Sequence, residues 1–115
     1  MDPSATLSEL LELSTQVVEV VVAGADGAVE AAKTSSYERS TVLAAAGTEL
    51  IVAASSLREG GPVVTRVHVD LERGSLVVVG DGQRTIVATT VAEPTAGLVA
   101  YDLRAALARL RGEVG

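Results

Sequence analysis

The segment from Tyr37 to Glu59 constrains the fold most, because it is as long as a helix and apolar over more than one face. At about 100° per residue, its apolar positions cover an arc of roughly 200°. A helix that packs only on its own sheet needs a narrower apolar stripe. The polar strip that remains contains Thr41, Thr48, Glu49, Ser55, Ser56 and Glu59. We therefore predict a helix with two apolar sides, one for its own domain and one for a partner.

The two apolar sides differ in the size of their residues. The bulky side, which we expect to lie on the sheet of the same chain, consists of Val42, Leu50 and Leu57. The shallower side, over which another backbone can approach closely, consists of Leu43, Ala44, Gly47, Ile51 and Ala54. Glycine costs about 1 kcal/mol relative to alanine inside a helix. A close helix contact is one reason to keep Gly47 there.

The length of the chain decides between a partner surface and burial of this helix on all sides within a large domain. A chain of 115 residues suffices for one two-layer core. We therefore predict a single domain over residues 1–115 with one apolar helix side left over. The residues are 48% apolar, but Phe, Trp and Cys are absent, so the core must consist of Val, Leu, Ile and Ala.

Charge and composition exclude several classes of protein. Without cysteine there are no disulfides and no thiolate metal sites. A net charge of -6 and a single Lys argue against a nucleic-acid partner, which requires clustered basic residues. The polar start of the chain has no signal-like region, and no apolar run approaches the roughly 20 residues that span a bilayer. We expect a cytoplasmic protein that does not insert into membranes.

The whole chain predicts the order α-β-β-α-β-β-β-α. An opening helix capped by Asp2, Ser4 or Thr6 ends near residues 15–18. A β-hairpin with its turn at Asp26-Gly27 follows, and Gly60-Gly61-Pro62 ends the middle helix. The predicted strands and the final helix are Val18–Ala23, Ala28–Lys33, Val64–Leu71, Leu76–Val79, Arg84–Val91 and a helix that begins at Pro94 or Thr95. The apolar run at Leu76–Val79 indicates a strand buried on both sides.

The residues needed for catalysis or for a cofactor are missing from the pattern. The single histidine, His68, alternates with Arg66 and Asp70 on the polar side of a strand, and we interpret it as a surface or dimer-edge residue. Residues 80–82, Gly-Asp-Gly, lack the Lys and the hydroxyl residue of a phosphate-binding loop and predict a hairpin turn. No carboxylates have the spacing of a metal loop. We expect no enzymatic activity, cofactor or metal.

Several local sequences, in this order, resemble the Roadblock family, which includes the dynein light chain roadblock and the bacterial mutual gliding protein B. They are the leucine-spaced opening helix, the hairpin Val20-Val21-Val22-Ala23-Gly24-Ala25-Asp26-Gly27-Ala28-Val29, the Ala-rich middle helix, the strand Gly74-Ser75-Leu76-Val77-Val78 and the helix start Gly97-Leu98-Val99. The resemblance extends over almost the whole chain. It implies an α+β, two-layer, profilin-like fold with a five-stranded antiparallel sheet.

The resemblance also implies a homodimer that acts as a platform for a small Ras-like GTPase. In such a dimer the middle helices pack antiparallel and the nearest strands join into one continuous sheet. The implied dimer interface consists of Leu43, Gly47, Ile51, Ala54, Val67 and Val69. The GTPase would lie across the two middle helices, on a surface formed by Glu38, Thr48, Glu49, Val52, Ser55 and Glu59. Arg39 or Arg58 would be the candidates for an arginine that acts on the bound GTPase.

Two other functions remain open at this stage. A small sensor domain of the profilin-like type would enclose an apolar ligand, usually between aromatic residues, of which this chain has only two tyrosines. A structural adaptor would couple components of a signalling complex without contacting a nucleotide switch. Nothing in the residues separates such an adaptor from a GTPase platform.

Overall fold

The computed structural model describes residues 2–57 and 65–112, and these contain three helices and five strands. The helices are α1 (Pro3–Leu13), α2 (Tyr37–Ser56) and α3 (Ala96–Leu110). The strands are β1 (Val17–Ala23), β2 (Val29–Lys33), β3 (Arg66–Leu71), β4 (Gly74–Gly80) and β5 (Thr85–Thr90). The predicted order of elements is confirmed. The predicted end of the middle helix at residues 60–62 and the predicted start of the third strand at Val64 lie outside the described residues.

The five strands form one antiparallel sheet in the order β2-β1-β5-β4-β3. The predicted five-stranded antiparallel sheet is therefore confirmed. Its central strands are β1, β5 and β4, which contain most of the buried valines of the chain. Its two edges are β2 and β3, and both are less buried than the strands between them.

Helices cover both faces of the sheet, so the fold has three layers rather than the two expected from the sequence. One core cluster joins α1 and α3 to one face through residues such as Leu7, Val77 and Leu103. A second cluster joins α2 to the opposite face through Leu43 and Val78, among others. The physical reason is the continuous apolar run in β4, whose side chains alternate between the faces and need cover on both. The prediction that this run is buried on both sides is confirmed.

Short polar side chains begin the first two helices. Asp2, one of the three predicted caps, accepts a hydrogen bond from the backbone N–H of Ser4 at 3.1 Å and begins α1. Ser36 begins α2 and accepts a hydrogen bond from the backbone N–H of Arg39 at 3.1 Å. These caps satisfy N–H groups that have no partner within the helix.

Aspartate side chains stabilise the two predicted hairpin turns. In the β1–β2 turn, Asp26 accepts a hydrogen bond from the backbone N–H of Ala28 at 3.0 Å, and Gly27 has a positive φ of 83°. In the β4–β5 turn, Asp81 accepts hydrogen bonds from the backbone N–H groups of Gln83 and Arg84, both at 2.8 Å. The interpretation of residues 80–82 as a hairpin turn is confirmed. None of the helices in residues 2–57 and 65–112 is long and apolar enough to cross a membrane.

Candidate protein interface

One side of α2 is packed on the sheet of its own chain. Leu43 is only 4% exposed and belongs to the same core cluster as Ala44 and Val87. Gly47 allows the closest approach, because a Cβ atom at this position would overlap the side chain of Val87. Two of the residues assigned to the dimer interface, Leu43 and Gly47, therefore face the chain's own sheet. They leave almost no surface for a second copy.

A second side of α2, next to the packed side, is partly exposed and largely apolar. Val42 is 59% exposed and Leu57 is 85% exposed, so the prediction that these bulky residues lie on the sheet is wrong. The pattern of residues showed two apolar sides but did not show which one the sheet covers. The small surface around Gly47 fits against the close-packed β5, and the larger side chains point outward. We call this apolar line along α2, in which Ala46 and Leu50 are half-buried and the others are exposed, the outer row: Val42, Ala46, Leu50, Ala53 and Leu57.

The outer row lies on the same face of the sheet as the apolar side of edge strand β3. Val67 and Val69 are half-buried and pack against the core cluster under α2, as does Leu50 of the outer row. β3 pairs with β4 along one side only, and its other side is an edge of the sheet in the described residues. An exposed helix side next to an unpaired edge strand is an arrangement that a second protein chain can extend.

Of the other two predicted dimer residues, Ile51 lies near the hairpin turns. Ile51 is half-buried and lines a cleft of about 230 Å³ between α2 and the two turns. Ala54 is also half-buried. We call this groove the α2 cleft; it is lined by Gly24, Ala25, Thr48, Ile51, Val52, Ser55, Gly80, Gly82, Gln83, Arg84 and Thr85. The cleft and the outer row lie on different sides of the same helix, so two contacts can be made at once.

The residues predicted to contact a partner fall mainly on the exposed surface of α2. Glu38, Glu49 and Ser55 are exposed, and Val52 is 60% exposed at the rim of the α2 cleft. Thr48 is half-buried, and its hydroxyl is buried without a hydrogen-bond partner among the described residues. Glu59 lies outside the described residues.

A salt bridge between Arg39 and Glu19 connects the start of α2 to strand β1 of the sheet. Arg39 donates hydrogen bonds to Glu19 through Nε, at 3.0 Å to Oε2, and through Nη2, at 2.9 Å to Oε1. Glu19 also accepts a hydrogen bond from the hydroxyl of Thr89 at 3.1 Å. The hydrogen bond from Arg39 lowers the pKa of Glu19 and outweighs the burial that raises it. The same contact raises the pKa of Arg39.

This pair bears on the arginines considered as catalytic. Arg39 is held by Glu19, so its guanidinium stabilises the fold and is not a free group at the surface. Arg58 lies outside the described residues. Sequence reasoning missed the role of Glu19, because its partner is 20 positions away and only the packing of α2 across β1 and β5 brings them together.

The single histidine lies on β3, at the edge of the sheet. His68 contacts Asp70 at 3.1 Å on the side of β3 that points away from α2. Within residues 2–57 and 65–112, no group of three or more His, Cys, Asp or Glu residues is arranged to hold a metal ion.

Comparisons with known proteins identify the fold. No family model and no curated protein matches the chain. A Roadblock/LC7 domain from Streptomyces avermitilis has a similar structure, with a TM-score of 0.87, 19% sequence identity and 97% of both chains covered. MglB from Myxococcus xanthus has a TM-score of 0.79 at 16% identity, over 97% of this chain and 96% of that one.

Profilin from Schizosaccharomyces pombe is more distant, with a TM-score of 0.63 at 17% identity over 95% of this chain and 96% of that one. These identities are low, so the likeness concerns the fold. The resemblance to Roadblock domains is confirmed at that level, as is the profilin-like architecture.

Proposed function

We propose that this protein is a homodimeric, non-enzymatic module that binds a small Ras-like GTPase and serves it as a platform. The observation that carries the proposal is the exposed apolar outer row beside the edge strand β3, in a chain with the fold of Roadblock domains and MglB. An apolar helix side of this length is unusual on the surface of a small soluble monomer. The homodimer gives that side a partner of matching shape.

In the proposed dimer, the outer rows of two α2 helices pack against each other and the β3 strands pair. The interface therefore uses Val42, Ala46, Leu50, Ala53 and Leu57, with Val67 and Val69 below them. Alanines at two of these positions let the helix axes approach closely. The sequence also led us to expect a dimer contact through α2 and β3. The proposed contact differs in the side of α2 that it uses, which is the outer row and not the side that contains Leu43 and Gly47.

The proposed GTPase surface is the exposed ridge of α2 that borders the α2 cleft. Val52 supplies an apolar contact at the rim, and Glu38 and Glu49 supply negative charge. A partner with basic and apolar groups on its contact surface would complement this ridge. Binding at Val52 does not compete with dimerisation, because Val52 lies outside the outer row.

The test is an affinity capture from the source cell's lysate, performed once with a non-hydrolysable GTP analogue and once with GDP. We expect a Ras-like GTPase to be retained mainly in the GTP-like state. Val52→Asp should lower that retention at least tenfold, because a carboxylate would be desolvated in the contact. The matched control is Val18→Asp, which changes an exposed valine on β1, 56% exposed, that does not line the α2 cleft.

The capture discriminates between the proposed platform and the structural adaptor. Retention of the same proteins with either nucleotide would favour an adaptor and contradict the switch-dependent role. If Val52→Asp binds the GTPase as well as Val18→Asp does, the ridge is not the contact surface. The mass of each variant in solution shows whether its dimer is intact.

A further inference from the structure

The hydrogen-bonding direction of β3 can be assigned residue by residue. Gly80 donates a backbone hydrogen bond of 2.9 Å to the carbonyl of Thr65, so the backbone groups of Thr65 point toward β4. In an antiparallel ladder the backbone N–H and C=O of one residue point to the same side, and the side alternates along the strand. The backbone groups of Arg66, His68 and Asp70 therefore point away from β4, toward the open edge.

The side chains of these three residues share the face of the sheet opposite α2. His68 pairs with Val77, which belongs to the cluster under α1 and α3, whereas Val67 and Val69 pack under α2. Asp70 has a strongly exposed side chain, 85% exposed, and Arg66 has no salt bridge among the described residues. The edge thus presents a positive and a negative side chain on one face and two valines on the other.

The sequence of β3 is symmetrical about His68. Opposite charges lie two positions to either side of it, at Arg66 and Asp70, and valines lie one position to either side. Thr65 and Leu71 are the ends of the segment that pairs with β4. His68 is therefore the centre of both the paired segment and its side-chain pattern.

We propose that two copies of the chain pair antiparallel through β3 with His68 opposite the partner's His68. This inference rests on the homodimer proposed above and specifies how its strands align. Each Arg66 then lies opposite the partner's Asp70, and each Val67 lies opposite the partner's Val69. A two-fold axis passes between the two histidines, and both charge pairs repeat about it.

Two properties favour this alignment over its neighbours. It pairs the outward N–H and C=O groups of all three edge residues on both strands, and it places opposite charges across from each other. A shift of two residues that centres the pairing on Val69 also places unlike charges opposite each other, Arg66 with Glu72. Glu72 lies beyond the end of the strand, however, so this shift pairs the outward backbone groups of His68 and Asp70 but not those of Arg66 within the strand. A shift that centres it on Val67 places Arg66 opposite His68. A shift by one residue would place residues whose backbone groups point toward the partner opposite residues whose backbone groups point toward β4. Such a pairing cannot form the hydrogen-bond ladder.

The absence of cysteine allows a direct test by disulfide formation in the full chain. Directly opposed residues in an antiparallel pair are about 4.5–5.5 Å apart at Cα, which a disulfide can bridge. Single variants His68→Cys, Val67→Cys and Val69→Cys are oxidised mildly and separated without reducing agent. Ala25→Cys, in the exposed β1–β2 turn, measures linking by random collision.

We expect His68→Cys to become mostly disulfide-linked dimer, and each valine variant alone to remain near the level of Ala25→Cys. A mixture of Val67→Cys and Val69→Cys, exchanged before oxidation, should link the two different chains. Preferential linking of Val69→Cys or Val67→Cys alone would overturn the alignment. If no cysteine variant forms more disulfide-linked dimer than the control, but the mass in solution is that of a dimer, the alignment is overturned and the proposed dimer stands. A mass of one chain would overturn both.

Discussion

Glu19 is the residue whose environment differs most from what its place in the sequence suggests. It is the third residue of β1 and follows the exposed Val18, yet its side chain is only 16% exposed and joins α2 to β5 through Arg39 and Thr89. Charged hydrogen bonds of this kind stabilise a fold when both partners stay ionised. The free energy of unfolding should therefore depend on the charge of Glu19.

Glu19→Gln should lower the free energy of unfolding by about 1 kcal/mol at pH 7, near the low end for charged hydrogen bonds because Arg39 is half exposed. The pKa of Glu19 is lower in the folded protein than its ordinary value of 4.5. Its stabilising contribution is thus fully present above pH 4.5 and is lost as the pH falls through the folded pKa. Urea unfolding at pH 7 and at pH 3 measures the difference, which should shrink at pH 3.

The control for this prediction is Glu12→Gln, on the exposed side of α1, where no salt bridge involves Glu12 in the described parts of the chain. That variant should unfold like the original protein at pH 7. An equal loss of stability in both variants would mean that net charge, and not the contact with Arg39, is responsible. A loss at Glu19 that persists unchanged at pH 3 would contradict the ionic origin.

Gly47 shows what a sequence can and cannot tell about a single residue. Its cost within a helix predicted a close contact, and the structure has one. The contact is with Val87 of the same chain, however, and the sequence offered no means to distinguish that valine from a second helix. A residue pattern encodes the shape of a surface but not the identity of the surface that covers it.

At the scale of elements, the start of α2 was predicted correctly, but the side of the helix that meets the sheet was not. Its start at Tyr37 and its two apolar sides follow from local capping and from periodicity. Which side meets the sheet depends on how β1, β4 and β5 pack, and these contacts are long-range. The candidate site inherits this limit, because Leu43 and Gly47, which were assigned to the dimer contact, pack on the chain's own sheet.

Substitutions at two alanines of α2 can test whether the outer row forms the dimer contact. Ala53 lies in the outer row and Ala45 lies outside it, and both are exposed in the single chain. Ala53→Asp should weaken dimerisation at least tenfold, because it places two carboxylates close together in a desolvated contact. Ala45→Asp makes the same chemical change and should leave the dimer unaltered.

Sedimentation velocity over a range of concentrations measures the dimer dissociation constant of both variants. Circular dichroism checks that each variant keeps its helices. Equal effects of the two substitutions, or no effect of Ala53→Asp, would remove the outer row from the interface.

At the scale of the whole molecule, the order of elements and the sheet could be predicted because turn residues and alternating patterns are local signals. The third layer was missed because the chain seemed too short to cover both faces, although the apolar run at Leu76–Val79 indicated a strand buried on both sides. Small and β-branched core residues made it possible: β1 and β4 are rich in valine, and β5 consists of threonine, isoleucine, valine and alanine, so helices pack closely on each side. Helices cover both faces of the sheet, so the proposed dimer contact uses the outer row of α2 and the open edge of β3.

The most direct test of the central claim is the mass of the unmodified protein in solution, measured by light scattering at tens of micromolar. The account predicts a species of twice the 11.7 kDa chain mass, because the outer row and β3 are covered only by a second copy. A mass of 11.7 kDa across this concentration range would contradict the dimer, and with it the proposed platform and the alignment of its strands.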